Sequence, residues 1–462
     1  MRKHFDFYGY CPPTDGKYYI GNDEYFYGED YRTVKRYKEY KNVGFNILLL
    51  QHENSYSGEE FEGSNCQRCM IEAYKAGLDK IIVSDTRLKD LCVEKELIGV
   101  NGRFATKEDL LQYIDDCTKP YREQPGFYGV QLFDEPKYWQ LQSYGQVCCA
   151  IQKLDPQMKM QCNLLNLVNP AWLAENEADH KKAYEEYLNR FLDVAGIDYL
   201  MTDEYPFHKN YKISQYSIPV YQVLAKVCRE RKVEFRMVLQ SFSGVHFIST
   251  KDGRIEGDFN WRRMTEPDMY WQMNLAMGFG CREYSFFTYF TKSAIRIKSN
   301  DIYTCGVDGA QFINQDGSRT KLYNYTKRII AEVKRFETVL LKYQYENSYF
   351  CFEEGKNAED FNQTKMVNLS DECPIDIKIS KGVALVTKSR SNNATLYMIE
   401  NIGNVKDEFD GQPKMKLKIH LDNDAKNFRL YKKGVQVSRK MQNGTFQETL
   451  GCGHAIFIEI DD

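Results

Sequence analysis

GFYGVQLFDEPKYW, residues Gly126–Trp139, is a nearly unbroken apolar and aromatic run that stops at two adjacent carboxylates, Asp134 and Glu135, and then a proline. An apolar run of this length reads as a strand buried on both faces. Pro136 has no N–H for a ladder and turns the chain into a loop, so the two acids stand at the C-terminal tip of a buried strand. The pattern recurs along the chain. Apolar runs ending in polar residues occur at His4–Tyr10, Gly44–Asn54, Leu78–Arg87, Met158–Asn166, Ile197–Pro206, Glu234–Phe242 and Cys281–Phe290. Helical spacing fills stretches between them, such as Glu29–Tyr40, Arg68–Gly77, Lys181–Gly196 and Ile218–Lys232. Apolar strands alternating with helices predict a parallel sheet covered on both faces, and about eight such units is the count of a (β/α)8 barrel. An open doubly wound sheet would want a glycine-rich phosphate turn after a strand, and none of these runs has one.

The helical stretch Tyr323–Tyr343 is expected to end the barrel. Beyond it the texture changes to short runs, several of them alternating, at Gly382–Arg390, Ala394–Asn401, Lys414–Leu421, Asn427–Val435 and His454–Ile460. These predict an antiparallel β-sandwich. The expected division is therefore a barrel over residues 1–345 and a sandwich over 346–462.

Composition narrows the class of partner. The 462 residues carry a net charge of -3, which gives no reason to expect nucleic acid or an anionic membrane as partner. No apolar run approaches the roughly 20 residues of a membrane span. Met1-Arg-Lys leads straight into a strand-like run without a secretory apolar segment, so the expected location is cytoplasmic, or secreted if a signal segment has been removed. The 14 cysteines are scattered, several within apolar runs, which suggests buried reduced thiols; Cys66 and Cys69 form a lone C-x-x-C with no second pair at zinc-finger spacing. No metal or cofactor is expected. The abundance of tyrosine, 34 residues, suits stacking against sugar rings.

A barrel gathers the C-terminal strand ends at one mouth. Here those ends offer Tyr8 and Tyr10; His52, Glu53 and Asn54; Asp85 and Arg87; Asp134 and Glu135; Asn163 and Asn166; Asp203, Glu204 and Tyr205; Gln240 and Ser241; and Glu283, Tyr284 and Tyr289. The set is rich in carboxylates, amides and tyrosines. It has neither clustered metal ligands nor a nucleophile elbow. Carbohydrates, with hydroxyls to bind and an apolar ring face to stack, fit it. Glycoside cleavage uses one protonated carboxylic acid beside the leaving oxygen and usually an ionised carboxylate across the sugar. A single acid at a strand end is more often a helix cap or a loop ion pair, and Asp85 and Glu283 are read that way. The doublets Asp134-Glu135 and Asp203-Glu204 are harder to explain so, because each ends an apolar strand, is followed closely by proline, and opens on the same face. Neighbouring acids also raise one another's pKa.

These stretches resemble retaining glycoside hydrolases with (β/α)8 barrels of clan A, most nearly family 42, the β-galactosidase-like family, and its uncharacterised relatives. The resemblance implies that Glu135, in Asp-Glu-Pro at the end of strand four, is the general acid/base. Asp203, Tyr205 and Pro206 match the family's Trp-Asp-x-Tyr-Pro motif on strand six, with Thr202 where tryptophan is usual. Met264–Phe290 resembles the eighth unit, Asp316–Phe336 the last barrel helix, and Gly451–Ile460 the final sandwich strand. Many such relatives form homo-oligomers, so that state is also open. One departure matters: the clan places its nucleophilic glutamate at the end of strand seven, where this chain has Leu239 and Gln240. An amide cannot form a glycosyl ester. Three readings follow. Strand six supplies the second carboxylate, as Asp203 or Glu204; or a 2-acetamido sugar supplies its own nucleophile, with Asp134 orienting it and Glu135 as acid; or the barrel binds sugar without cleaving it. A lyase or isomerase of sugar acids would want a metal or a base, for which Arg87 alone is thin support. The expected site is thus Glu135, Asp203 and Glu204 as catalytic groups, with Asp134, Tyr205, Tyr8, His52, Asn163, Gln240, Tyr289 and Trp139 binding the substrate. Among the aromatics, at least one of Trp139, Tyr205, Tyr284 and Tyr289 is expected to stack on a sugar ring, core packing being the strongest alternative for Tyr284 and the weakest for Trp139.

Overall fold

The computed structural model describes residues 4–20, 23–26, 29–167, 170–174, 179–208, 217–249, 255–291, 294–298, 301–305, 311–357, 373–403, 414–421 and 428–461. Eight strands form the barrel: β1 (Asp6–Gly9), β2 (Leu48–Leu50), β3 (Ile81–Ser84), β4 (Phe127–Asp134), β5 (Lys159–Asn163), β6 (Tyr199–Glu204), β7 (Glu234–Gln240) and β8 (Glu283–Phe287). Strands β2 to β5 pair in order and all parallel, as do β6, β7, β8 and β1. Two seams close the circle. Leu164, just past β5, bridges in parallel to Thr202 of β6, and its N–H donates to the Met201 carbonyl at 2.9 Å. Between β1 and β2 the Asn46 N–H donates to the Phe7 carbonyl at 2.9 Å.

Each strand is followed by at least one helix. These are α1 (Val34–Asn42), α2 (Asn65–Lys75), α3 (Thr86–Cys92) and α4 (Lys107–Arg122) after the first three strands. Then come α5 (Leu141–Leu154), α6 (His180–Ala195), α7 (Ser217–Arg231), α8 (Glu266–Gly278) and α9 (Lys321–Leu340). The sequence starts these helices with caps: Thr33, Ser64, Asp85, Thr106, Asp179, Thr265 and Thr320 each accept a first-turn N–H on the side chain. Alternation along the strands divides the core. Tyr8, Tyr10, Leu49, Ile82, Tyr199, Met201 and Val238 fill the barrel, while Leu48, Leu50, Val83, Leu200 and Leu239 face the helices. Gly129 is required where β4 meets β5, since a Cβ there would stand 2.0 Å from the Lys159 carbonyl oxygen. At the strand N-terminal end the barrel is plugged by Arg236, which pairs with Glu283 at 3.4 Å and Glu234 at 2.9 Å and lies 3.8 Å over the Tyr199 ring.

One element was not read from the sequence. The hairpin of 17–20 and 23–26, inserted after β1, pairs through 17–20 with 294–298 of a hairpin inserted after β8; the other arm of that hairpin, 301–305, pairs with 244–249, which pairs in turn with 255–261, both inserted after β7. They make one six-stranded sheet. Its strands leave the barrel at the C-terminal strand ends, so it stands beside the mouth.

The C-terminal part is antiparallel, as expected. β9 (Gln344–Phe352), β11 (Val383–Arg390), β12 (Ala394–Asn401), β14 (Phe428–Lys432), β15 (Val435–Val437) and β17 (Ala455–Asp461) form one sheet. β10 (Asp376–Ile379), β13 (Met415–His420) and β16 (Thr445–Leu450) form the other. The two enclose Val386, Ile399, Ile419 and Ile458. The outer face of the larger sheet packs on α8 and α9: the Phe336 ring lies 4.6 Å from Tyr431 and 4.9 Å from Phe457, and Trp271 Nε1 donates to the Ile402 carbonyl at 3.4 Å.

Among the described residues no helix is long and apolar enough to cross a membrane, and no group of His, Cys, Asp and Glu could hold a metal ion. Cys66 and Cys69 lie buried on α2, where burial pushes both thiols up, Cys69 to about 11. None of the described cysteines is in a disulfide; Cys149 is exposed, Cys351 and Cys373 are half-buried and the rest are buried. Thiol titration of native protein is therefore expected to label Cys149 fast, half-buried Cys351 and Cys373 more slowly, and the buried thiols only on unfolding. Arg236→Met should lower the unfolding free energy by roughly 3–5 kcal/mol, because it strands Glu283 inside the barrel; adding Glu283→Leu should recover much of that loss in denaturant titrations.

Candidate active site

Asp134 and Glu135 close β4, and they escape strict alternation. A register shift against β5 between Gln131 and Phe133 turns Asp134 opposite Asn163. Glu135 then takes a left-handed backbone with φ of 53°, its N–H donating to the Asn163 carbonyl at 2.8 Å. Cys11 and His52, at the ends of β1 and β2, are also left-handed, with φ of 52° and 55°. Each costs roughly 1 kcal/mol or more for a side-chain-bearing residue. Such strain at three strand tips of one mouth is a mark of a site held in shape.

β6 keeps its alternation, and this separates its two acids. Asp203 lies on the face of Tyr199 and Met201 and so points into the mouth, where it accepts from Asn163 Nδ2 at 3.3 Å and from the Tyr205 hydroxyl. Glu204 lies on the opposite face. It is buried against the start of α7, accepting from Ser217 Oγ at 2.6 Å and Asn166 Nδ2 at 3.4 Å. The expectation that Glu204 serves as a catalytic carboxylate is thereby corrected.

The mouth acids are electrostatically strained. Glu135 is pushed up to about 8, first by desolvation and then by the charges of Asp203 and Asp134. Asp203 is raised to about 6 by burial and Asp134, against the opposing hydrogen bonds of Asn163 and Tyr205. Asp134 is raised by burial, opposed by Asn163 and by Lys89. The residues Asp134 and Glu135 are open to solvent at the rim, yet the wall around their carboxyl groups is close enough for desolvation to lead in both cases. Glu204 is raised to about 7 by burial, though away from the mouth.

The remaining expected residues divide. Asn163 bridges Asp134 and Asp203, and its Oδ1 is buried without a partner among the described residues. Tyr205 stands half-buried against Phe242 and Phe287, with ring centroids 4.9 and 5.9 Å away. His52 is exposed on the turn after β2, its Nε2 3.5 Å from Cys11 Sγ. Trp139 is exposed on the loop after β4. Four expectations are overturned by burial. Tyr8 is sealed in the barrel interior, donating to Met201 Sδ at 3.4 Å. Tyr289 points outward into an aromatic cluster with Tyr40, Phe45 and Phe312. Tyr284 stacks on Phe5 and Phe7 in the same outer layer. Gln240 is spent as a strut: its Oε1 accepts from Phe207 N–H at 3.0 Å and its Nε2 donates to the Phe207 and Phe242 carbonyls. Asp85 caps α3 and pairs with Arg87, and Glu283 pairs with Arg236.

The mouth also holds residues that the strand ends did not reveal. Beneath the acids lies a buried amide layer, in which Gln51 Nε2 donates to Gln131 Oε1 at 3.0 Å and Gln161 Nε2 to the Tyr10 hydroxyl at 2.7 Å. Gln131 Nε2 and Gln161 Oε1 have no partner among the described residues. Lys89 on α3, its pKa lowered by burial, faces Asp134. Trp172, after β5, is exposed beneath the Lys137 ammonium. The inward parity of the glutamines was readable in the strands; the reach of Lys89 and Trp172 from outside them was not.

No family profile matches the chain, and no curated protein does. Solved structures similar to it include a family 30 subfamily 8 xylanase from Clostridium acetobutylicum, at 10% identity and TM-score 0.42, covering 100% of this chain and 96% of that one. An endo-beta-1,4-mannanase from Thermotoga petrophila is 12% identical with TM-score 0.45, covering 97% of each chain. A glycoside hydrolase of family 5 from Bacteroides vulgatus is 9% identical with TM-score 0.48, covering 99% of this chain and 89% of that one. Likeness at this level carries no argument about activity. The fold rests on the strand connectivity above, and the chemistry on the residues at the mouth.

Because Glu135 titrates near 8 in the folded chain and near 4.5 when unperturbed, its ionisation works against folding. That penalty is absent below the unperturbed value and complete above the raised one. Glu135→Gln should therefore raise Tm by a few degrees at about pH 9 and leave it nearly unchanged at about pH 4, as read by thermal melts across pH.

Proposed function

We propose that this protein is a glycoside hydrolase in which Glu135 is the general acid/base and Asp203 the nucleophile or base. The observation that carries the reading is the mutual placement of these two groups: each comes from a different strand end, both face one mouth, and the charge of Asp203 helps keep Glu135 protonated near neutral pH. Protonated Glu135 donates its proton to the glycosidic oxygen as the bond from that oxygen to the anomeric carbon breaks. Asp203, ionised and steadied by Asn163 and Tyr205, forms the new bond to that carbon directly or removes a proton from the water that does. In the first case water then releases the sugar, with Glu135 acting as base. The motif resemblance around Glu135, Asp203 and Tyr205 supports a carbohydrate substrate. In this reading residues 1–345 carry the chemistry, and 346–462 buttress α8 and α9 from outside.

A second reading, hydrolysis of 2-acetamido sugars with the acetamido oxygen as nucleophile, draws on a specific observation. The mouth end of strand seven carries Gln240 rather than an acid, and that amide is fixed by backbone groups, while Asp134 stands directly before Glu135.

Glu135→Gln keeps the shape but holds no transferable proton. It should cut turnover of unactivated glycosides by at least about 10²-fold, and of aryl glycosides with good leaving groups by less. Asp203→Asn should impair both substrate kinds alike. If Asp203→Asn is silent and Asp134→Asn is not, the acetamido reading replaces the first. The kcat/KM profile should be bell-shaped, rising as Asp203 ionises near 6 and falling as Glu135 loses its proton near 8. A wild type that cleaves no member of a broad glycoside panel while binding sugars would make the barrel a lectin-like one.

A further inference from the structure

Of the chain's four tryptophans, Trp271 is fully buried and Trp261 half-buried, whereas Trp139 is 50% exposed and Trp172 42%. Both exposed rings lie on the connections that leave neighbouring strand ends of the mouth, Trp139 four residues after Glu135 and Trp172 nine residues after Asn163. Trp139 lies on the turn Tyr138–Gln140 that follows β4, and Trp172 on the turn Pro170–Leu173 that follows β5. The two turns pack on each other, and Lys137 Nζ sits 4.8 Å from the centre of the Trp172 ring.

These rings are not on loose chain. The Pro136 carbonyl accepts from the Tyr187 hydroxyl at 2.5 Å, and the Lys137 N–H donates to the Oε1 of buried Gln140 at 2.8 Å. Behind Trp172, Leu173 and Ala174 are buried. Large apolar rings held out in solvent by an anchored backbone forgo burial they could have had, and they lose little freedom when something stacks on them. Lys137 occupies part of the Trp172 ring and brings donors to a place where sugar hydroxyls would meet them.

We propose that Trp139 and Trp172 form a stacking platform on the leaving-group side of the cleavage point, and that the substrate is an oligo- or polysaccharide rather than a sugar joined to a small aglycone. The side follows from the role of Glu135, and to that extent the inference rests on the hydrolase reading: the general acid protonates the bridging oxygen, so the sugars leaving with that oxygen extend over the rings beside it. The stacking itself does not depend on cleavage.

The test is a length series of neutral oligosaccharides, from disaccharide to hexasaccharide, of gluco-, xylo-, manno- and acetamido-gluco types. Binding is read by calorimetry on Glu135→Gln protein, and cleavage by kcat/KM on the wild type. Affinity is expected to rise with chain length in at least one series. Trp172→Ala and Trp139→Ala should each weaken binding of the longer members by about tenfold, and Trp172→Phe should restore most of the loss. Tyr74→Ala, an exposed aromatic on α2, should leave the length dependence intact. The platform is refuted by a length dependence that survives the double tryptophan variant, by absence of binding across the series, or by a wild-type dimer that the double variant dissolves, since the rings would then be covered by a second copy. Its failure is separable from that of the hydrolase reading. Cleavage without any gain from length removes the platform alone, and tryptophan-dependent binding without cleavage removes the hydrolase alone.

Discussion

Successive residues of a strand face opposite sides, and in a closed barrel one side is the mouth and the other the helix layer. Two adjacent acids at a strand end therefore cannot both face a substrate unless the strand breaks its own rule. β6 obeys it, giving Asp203 to the mouth and Glu204 to Ser217 on α7. β4 breaks it twice, through the register shift before Phe133 and the left-handed Glu135. Everything chemical about the mouth follows from this difference: one doublet contributes two carboxyl groups, the other contributes one, and the sum is three acids close enough to disturb one another.

Three neighbouring carboxyl groups would be a poor arrangement for stability alone. Burial raises all of them, repulsion adds to it at Glu135 and Asp203, and the groups that oppose the effect are few: Asn163, Tyr205 and the charge of Lys89. The barrel tolerates the cost because its core is extensive elsewhere, with an apolar and aromatic interior below and a second shell of side chains against the helices. The unpartnered Gln131 Nε2, Gln161 Oε1 and Asn163 Oδ1 sit in the same region, so the mouth carries unspent polar capacity as well as unspent charge. That combination suits a ligand covered in hydroxyls.

The barrel was legible in the sequence because its strands are buried on both faces, which leaves apolar runs that need no alignment to see. The tip acids were legible for the same reason, standing out at the ends of those runs. What could not be read was which way a tip residue turns. Tyr8 and Tyr289 look alike as tyrosines near strand ends, yet one is sealed inside and the other faces α1. Glu204 looks equivalent to Glu135 until the register shift in β4 is known. Gln240 marks the absence of an acid correctly as sequence, but only its bonds to Phe207 and Phe242 show that the amide has its own structural task. Lys89 and Trp172 escaped notice because they reach the mouth from a helix and a turn, and no strand periodicity points to them.

The six-stranded sheet beside the mouth is assembled from three connections that lie at opposite ends of the barrel sequence, with Tyr19 pairing Ala294 and Gly244 pairing Cys305. No one of these insertions can make it alone. One of its pairings, 17–20 with 294–298, joins partners separated by most of the barrel chain, so the entropy of closing that loop is recovered only once β1 and β8 already lie side by side. The rim on that side is consequently a late product of folding, and a chain stalled before barrel closure would expose unpaired strand edges there. Synthesis from the N-terminus makes the same point: residues 17–20 emerge first and must wait, paired with 23–26 alone, until residues 294–298 arrive.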